Sequence, residues 1–184
     1  MILITAHRRE NFGRRFEGIC KGLKSLVERN PDVILVYPVH LNPNVQDPAK
    51  RILSGVERVL LVEPLEYDVL VHLMKAASII LTDSGGVQEE APSLGKPVLV
   101  MRTETERPEG IEAGTAKLVG PDADTIVEET ERLLRDKAAY NRMAKAVSPY
   151  GDGRAAERIV EFLLTKILHG TYHNPVPFIL KRRS

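Results

Sequence analysis

Ser84, Gly85 and Gly86 stand together in the stretch "LTDSGGVQEE", and Glu89 and Glu90 follow after two intervening residues. Serine is a favoured helix N-cap, and glycines in the first helical positions leave the free backbone N–H groups open to an anion such as phosphate. The same triplet also reads as a cap followed by a flexible turn. The two glutamates cannot share a helical face. A carboxylate repels phosphate but accepts hydrogen bonds from hydroxyls, so Glu90, about a turn and a half past the cap, suits a ribose. Glu89 reads as a solvated surface acid. Neither a GxGxxG fingerprint nor a GxxxxGK[ST] loop occurs, so the usual NAD and ATP signatures are absent.

Other chemistry-bearing residues are scattered singly. His7 in "AHRREN" is a candidate for proton transfer, although a lone histidine after a strand is usually a polar loop residue. Arg107 precedes Pro108, which keeps it out of a helix and in a loop; a phosphate contact and a surface salt bridge both fit it. His40 lies between Pro38 and Pro43, where it either meets a ligand or shapes the turn. No His/Cys cluster has metal-ligand spacing, and the acids are dispersed, so neither a metal nor a cofactor is expected.

Elements that would position these residues alternate along the chain. Short runs rich in Val, Ile and Leu predict strands at Ile2–Thr5, Val33–Val39, Val59–Val62, Ile79–Thr82, Val98–Met101 and Ala116–Val119. Between them, Phe16, Ile19, Cys20, Leu23, Leu26 and Val27 form one helical stripe. Further helices are predicted at Val45–Leu53, Val69–Ala77 and Val87–Leu94. After the sixth strand the pattern is purely helical, and the last segment carries Ile159, Val160, Leu163, Leu164 and Ile167 on one side. Strand–helix alternation demands right-handed crossovers, which gives an α/β, Rossmann-like, doubly wound parallel sheet of about six strands. The domain is expected over 1–170, with 171–184 as a tail: a frayed terminus, or an arm docking on a part of the protein outside this chain.

In such a sheet ligands bind beyond the carboxyl ends of the strands. "AHRREN", "PVHLNPN", "EPLEY", "DSGGVQEE" and "RTETERPEG" all fall at that edge, whereas "NPDV" and "SLGKP" at the other are ordinary turns. One-sided polar enrichment marks a site better than any single residue does.

Composition bounds the partner. The chain has 184 residues, 43% of them apolar, enough for one substantial core. Lys and Arg number 26 against 25 Asp and Glu, so no broad field favours nucleic acid or a membrane surface. The single cysteine, Cys20, lies on the apolar stripe and reads as a small buried hydrophobe. With no disulfide, no apolar run of membrane-spanning length and no signal-peptide pattern, a cytoplasmic location is expected.

"TAHRRENFG", "VYPVHLNPNV", "LTDSGGVQEEAPSLGKPVLVMR", "TERPEGIEAGTAKLVG" and "PYGDG" together resemble the carboxyl-terminal half of the non-hydrolysing UDP-N-acetylglucosamine 2-epimerases, from about residue 1 to about 165. The resemblance implies one half of a two-domain GT-B fold, with the nucleotide on this half and the sugar in the interdomain cleft. It places the diphosphate on Ser84, Gly85, Gly86 and Arg107, and the ribose on Glu90. Uracil falls against the segment "PLEYDVL", through backbone atoms near Leu65 and the position of Leu70, which is often aromatic in the family. His7 matches the active-site histidine. Arg8 and His40 match positions that in some bacterial members contact a second, activating UDP-N-acetylglucosamine.

The partners implied are UDP, a UDP-N-acetylhexosamine and an amino-terminal domain; a homodimer is left open. The implied reaction is elimination of UDP from C1 with loss of the C2 proton, giving 2-acetamidoglucal, then re-addition with protonation on the opposite face. Much of the proton transfer belongs to carboxylates of the amino-terminal domain, so little turnover is expected of this chain alone. Three competitors remain: a GT-B UDP-sugar glycosyltransferase, a hydrolysing epimerase, and a non-catalytic nucleotide-sugar-binding module.

Overall fold

The computed structural model describes residues 1–168, with side chains to Lys166. The expected tail, 171–184, and the boundary at 170 lie outside the described residues. Two compact units are distinguished, Met1–Tyr150 and a second beginning at Gly151.

Six strands build the first unit: β1 (Ile2–Thr5), β2 (Leu35–Pro38), β3 (Val59–Val62), β4 (Ile79–Thr82), β5 (Val98–Val100) and β6 (Ala116–Leu118). All are parallel, in the order β3-β2-β1-β4-β5-β6. The chain winds outward from β1 to β3, then returns to the other side of β1 to lay down β4. That reversal is the topological switch point of a doubly wound sheet, and it opens a crevice beyond Thr5 and Thr82. The register there is in phase, with Ile2 opposite Ile79 and Thr5 opposite Thr82.

Alternation along the strands sorts the apolar residues onto two faces. Ile2 and Ile4 join the stripe of α1 (Arg14–Arg29), with α2 (Pro43–Leu53), α6 (Ala123–Arg135) and α7 (Lys137–Ala144) on the same side. Leu3, Ile80, Val98 and Val100 face the other way, toward α3 (Tyr67–Ala76), α4 (Gly85–Ser93) and α5 (Pro108–Glu112). All six residues of the predicted α1 stripe are fully buried. Each fully buried Leu, Ile or Phe contributes about 1.5–3 kcal/mol relative to exposure, so this face is a main source of stability.

β2 begins two residues later than predicted. The Val33 N–H donates to the Asn30 carbonyl at 3.0 Å, closing the turn after α1 instead of entering the ladder. Arg58 takes the left-handed conformation, with φ 66°. Its guanidinium donates to the carbonyls of Val27, Asn30 and Val33 at 2.8–3.0 Å, which satisfies the open end of α1. α5 and a 3-10 turn at Arg9–Asn11 were not foreseen, being too short to show periodicity. In the second unit α8 (Ala155–Leu168) is preceded by Asp152, which pairs with Arg158 at 2.6 Å. Among the described residues no helix is long and apolar enough to cross a membrane.

Candidate functional site

β1 and β4 end side by side, and their last residues are tied together. The Thr5 and Thr82 hydroxyls lie 2.6 Å apart in a hydrogen bond, and the Asp83 N–H donates to the Thr5 carbonyl at 2.9 Å. Beyond them the chain leaves β1 through His7 and Arg8, and leaves β4 through Asp83 and Ser84 into α4.

Ser84 is the N-cap residue of α4, as its position predicts. Its side chain makes no capping bond, however, so the first N–H groups of α4 have no side-chain acceptor there. Gly85 opens the helix, and here the missing side chain matters for space. A Cβ on Gly85 would stand 3.3 Å from Arg8 Nη2, 3.6 Å from Glu106 Oε1 and 4.0 Å from Arg107 Nη2. Two guanidiniums from separate loops thus converge on one helix N-terminus, where backbone dipole and fixed charge add. The Arg8 Nε is buried and has no hydrogen-bond partner among the described residues. A Cβ on Gly86 would lie 3.8 Å from Glu90 Oε1, which places that carboxylate over the same turn.

Both guanidiniums are also engaged by acids. Arg8 pairs with Glu106 at 3.5 Å, and the Arg107 Nε donates to Glu89. Glu89 is therefore not the solvated acid its sequence position suggests: it holds Arg107 at the mouth of the site. Glu106 also accepts from Arg102, which is buried and grips Glu10 through two bonds of 2.6 and 3.1 Å. Glu106's own backbone N–H, together with the Arg102 and Arg8 charges, holds its carboxyl below the usual range despite the opposing effect of burial. Arg107 is pushed further up, chiefly by its hydrogen bond to Glu89.

Arg107 is anchored through its backbone as well. Its N–H donates to the Thr105 hydroxyl at 3.1 Å, Thr105 donates to Gln88 Oε1 at 2.6 Å, and Gln88 Nε2 donates to the Ser84 carbonyl at 3.2 Å. This chain of bonds joins the β5–α5 loop to the first turn of α4. Arg107 stands just before α5, in the loop position that Pro108 predicts.

His7 stacks on His40, with ring centroids 5.4 Å apart and an interplanar angle of 25°. His40 Nδ1 accepts the Asn42 N–H at 3.1 Å, so this histidine both shapes its turn and meets His7. Burial lowers the pKa of His7, Asp83 opposes the shift, and His40 and Arg8 add to it. His7 is thus held neutral at pH 7, the form in which a histidine accepts a proton.

The remaining predicted positions are spread along α3 and the loop before it. The Tyr67 hydroxyl donates to Glu90 at 3.2 Å, which brings the start of α3 to the α4 carboxylate. Leu65 is half-buried in the β3–α3 loop. Leu70 packs on the core cluster around Leu3 and Met74, so its side chain serves the α3–sheet contact. Sequence reasoning missed Asp83. Its carboxylate is fully buried and accepts from the N–H groups of His7 and Arg8 and from Asn11. The available signal was an acid wedged between a strand end and an N-cap, facing a loop rich in N–H donors. Among the described residues no group of three or more His, Cys, Asp or Glu side chains is placed to hold a metal.

Known proteins are similar to this chain in both sequence and fold. The family model for UDP-N-acetylglucosamine 2-epimerase matches residues 1–164. The UDP-N-acetylglucosamine 2-epimerase of Escherichia coli K12 is 59% identical over 163 residues, which are 89% of this chain and 43% of that protein. A Neisseria meningitidis UDP-GlcNAc 2-epimerase structure bound to UDP-GlcNAc superposes with TM-score 0.85 at 51% identity, over 89% of this chain and 44% of that one. A co-structure of Staphylococcus aureus MnaA with UDP gives TM-score 0.86 at 46% identity, over 96% and 48%. The chain thus spans less than half the length of these relatives. With a six-stranded parallel sheet matching the GT-B epimerases and the family model covering most of its length, the chain belongs to the UDP-N-acetylglucosamine 2-epimerase family.

Proposed function

We propose that this chain is the UDP-binding, carboxyl-terminal part of an enzyme that interconverts UDP-N-acetylglucosamine and UDP-N-acetylmannosamine. The observation that carries the reading is the convergence of Arg8 and Arg107 with the N-terminus of α4 over Gly85. A diphosphate placed there meets the open N–H groups after Ser84, the small surface of Gly85 and Gly86, and two guanidiniums. Arg107 would exchange Glu89 for phosphate oxygen. Glu90, already accepting a hydroxyl from Tyr67, suits the ribose hydroxyls, and the Leu65 backbone with α3 near Leu70 frames the uracil.

The chemistry explains why such a clamp is needed. The hydrogen on C2 has no adjacent carbonyl to acidify it. In the eliminative route the C1–O bond breaks, UDP leaves with the electron pair, and the C2 proton is lost to a base, giving 2-acetamidoglucal. Negative charge grows on the departing diphosphate, where the helix N-terminus and Arg107, once moved from Glu89 to the phosphate, stabilise it. They also retain UDP until it adds back. His7, neutral and at the crevice edge, assists proton transfer. The principal acid and base groups belong to the amino-terminal portion of the full-length enzyme, and Arg8 and His40 border the place where a second, activating substrate molecule would sit. A nucleotide-sugar substrate and a single buried thiol support a cytoplasmic location.

Calorimetry of the chain with UDP and with uridine tests the clamp, and deuterium exchange at C2 of UDP-N-acetylglucosamine tests the chemistry. UDP is expected to bind, uridine to bind much more weakly, and exchange to be negligible until an amino-terminal portion is supplied. Equal affinity for UDP and uridine would remove the diphosphate from the site.

A further inference from the structure

We propose that Asp83 is a positioning residue, whose buried carboxylate beyond β4 holds the loop after β1 so that His7 and Arg8 face the start of α4. Its effect on ligand rests on the diphosphate reading above; its grip on the loop does not.

Asp83 is fully buried, and its hydrogen bonds come from amides. The His7 N–H lies 3.0 Å from each carboxylate oxygen, the Arg8 N–H 2.8 Å from Oδ2, and Asn11 Nδ2 3.1 Å from the same oxygen. Asn11 is itself buried and donates to the Met101 carbonyl at 3.1 Å, which extends the grip to the end of β5. An ionised carboxylate only accepts, and three donors aimed at one group require an acceptor of that kind. Asparagine has the same shape but turns an NH2 group toward one of those N–H donors. Asp83 also donates its own N–H to the Thr5 carbonyl, so backbone and side chain together clamp the two sides of the switch-point crevice.

The clamp fixes the functional side chains indirectly. Locking the His7 and Arg8 backbones sets the His7 ring against His40 and brings Arg8 Nη2 over Gly85. Three charged or titratable groups bear on His7: Asp83 supports its protonation, while His40 and Arg8 oppose it. Removing the Asp83 charge therefore lowers the pH at which His7 titrates, in addition to loosening the loop.

The test uses the 184-residue chain labelled for NMR. In Asp83→Asn the His7 ring titration is expected to move to lower pH and UDP to bind about tenfold more weakly. Glu131→Gln, which neutralises a buried carboxylate far from the crevice, is expected to move neither. A His7 titration unchanged by Asp83→Asn overturns the proposal. Should that variant not fold, the unmodified chain decides: the His7 and Arg8 amide protons, bonded to Asp83, are expected to exchange with solvent about tenfold more slowly than those of the exposed Arg9 and Glu10. Equal exchange across these four amides overturns the proposal equally. Failure of the unmodified chain to bind UDP would defeat the diphosphate reading, while the His7 titration would still judge Asp83.

Discussion

Opposite edges of the same sheet treat charge differently. At the amino edge Glu131 is buried and pairs with Arg29 at 2.9 Å, Arg135 at 3.3 Å and Asn30 at 3.0 Å, while Arg58 saturates three carbonyls. Glu131 and Arg58 are thus matched within the protein, and the result is a fastening. At the carboxyl edge Asp83 is answered by neutral amides, and the guanidiniums of Arg8 and Arg107 are held by exposed or half-exposed acids, with one further bond from Arg107 Nη1 to the Glu106 carbonyl at 3.1 Å. Cations held that loosely can be taken over by an anion. The difference separates polar residues that stabilise the fold from those that are available to a ligand.

Substitutions at the two edges should therefore fail in different assays. The largest effect is expected from Gly85→Val, which puts a branched side chain against Arg8 Nη2: UDP affinity should fall about 100-fold, or ~2.7 kcal/mol, with the unfolding midpoint little changed. A large loss of stability with affinity intact would reverse the assignment of the edges. Next, Arg58→Ala removes three hydrogen bonds from carbonyls at and just beyond the end of α1 and should cost about 2 kcal/mol in urea denaturation, with no change in UDP binding. Arg107→Ala should weaken UDP by about tenfold while leaving uridine binding and stability unaltered.

The smallest effect concerns pH. His7's folded pKa lies below its unfolded value of about 6.5, so as the pH falls through that value the unfolded chain takes up a proton that the folded chain refuses. Stability contributed by neutral His7 is thus present above pH ~6.5 and declines on acidification, and His7→Gln should flatten that slope in denaturation curves measured between pH 5 and 7.5, values chosen to bracket about 6.5.

These contrasts also explain what could be read from the sequence. Fold class followed from periodicity because burial is periodic: the α1 stripe and the alternating faces of β1 each repeat at the spacing their elements require. The Ser84-Gly85-Gly86 turn was legible because an N-cap and a missing Cβ are local properties. Asp83 was not, since two of its three donors are backbone N–H groups 75 and 76 residues away, which leave no mark of residue type, and the third, Asn11, is nearly as distant in the chain. Glu89 was misjudged for a related reason: its partner, Arg107, arrives from the next β–α loop, and only the sheet order brings the two together. Val33 looked like strand because it is apolar and buried, but the turn after α1 had already claimed its N–H.

Cys20 offers a practical consequence. It is the only cysteine in the sequence, fully buried on the inner face of α1, and desolvation pushes its thiol up to about 12. A native side chain so hard to deprotonate stays silent toward maleimides and similar reagents while the domain is folded. A fluorophore can therefore be attached to one cysteine introduced beside the crevice, without first engineering the native one away, and nucleotide arrival followed by its emission.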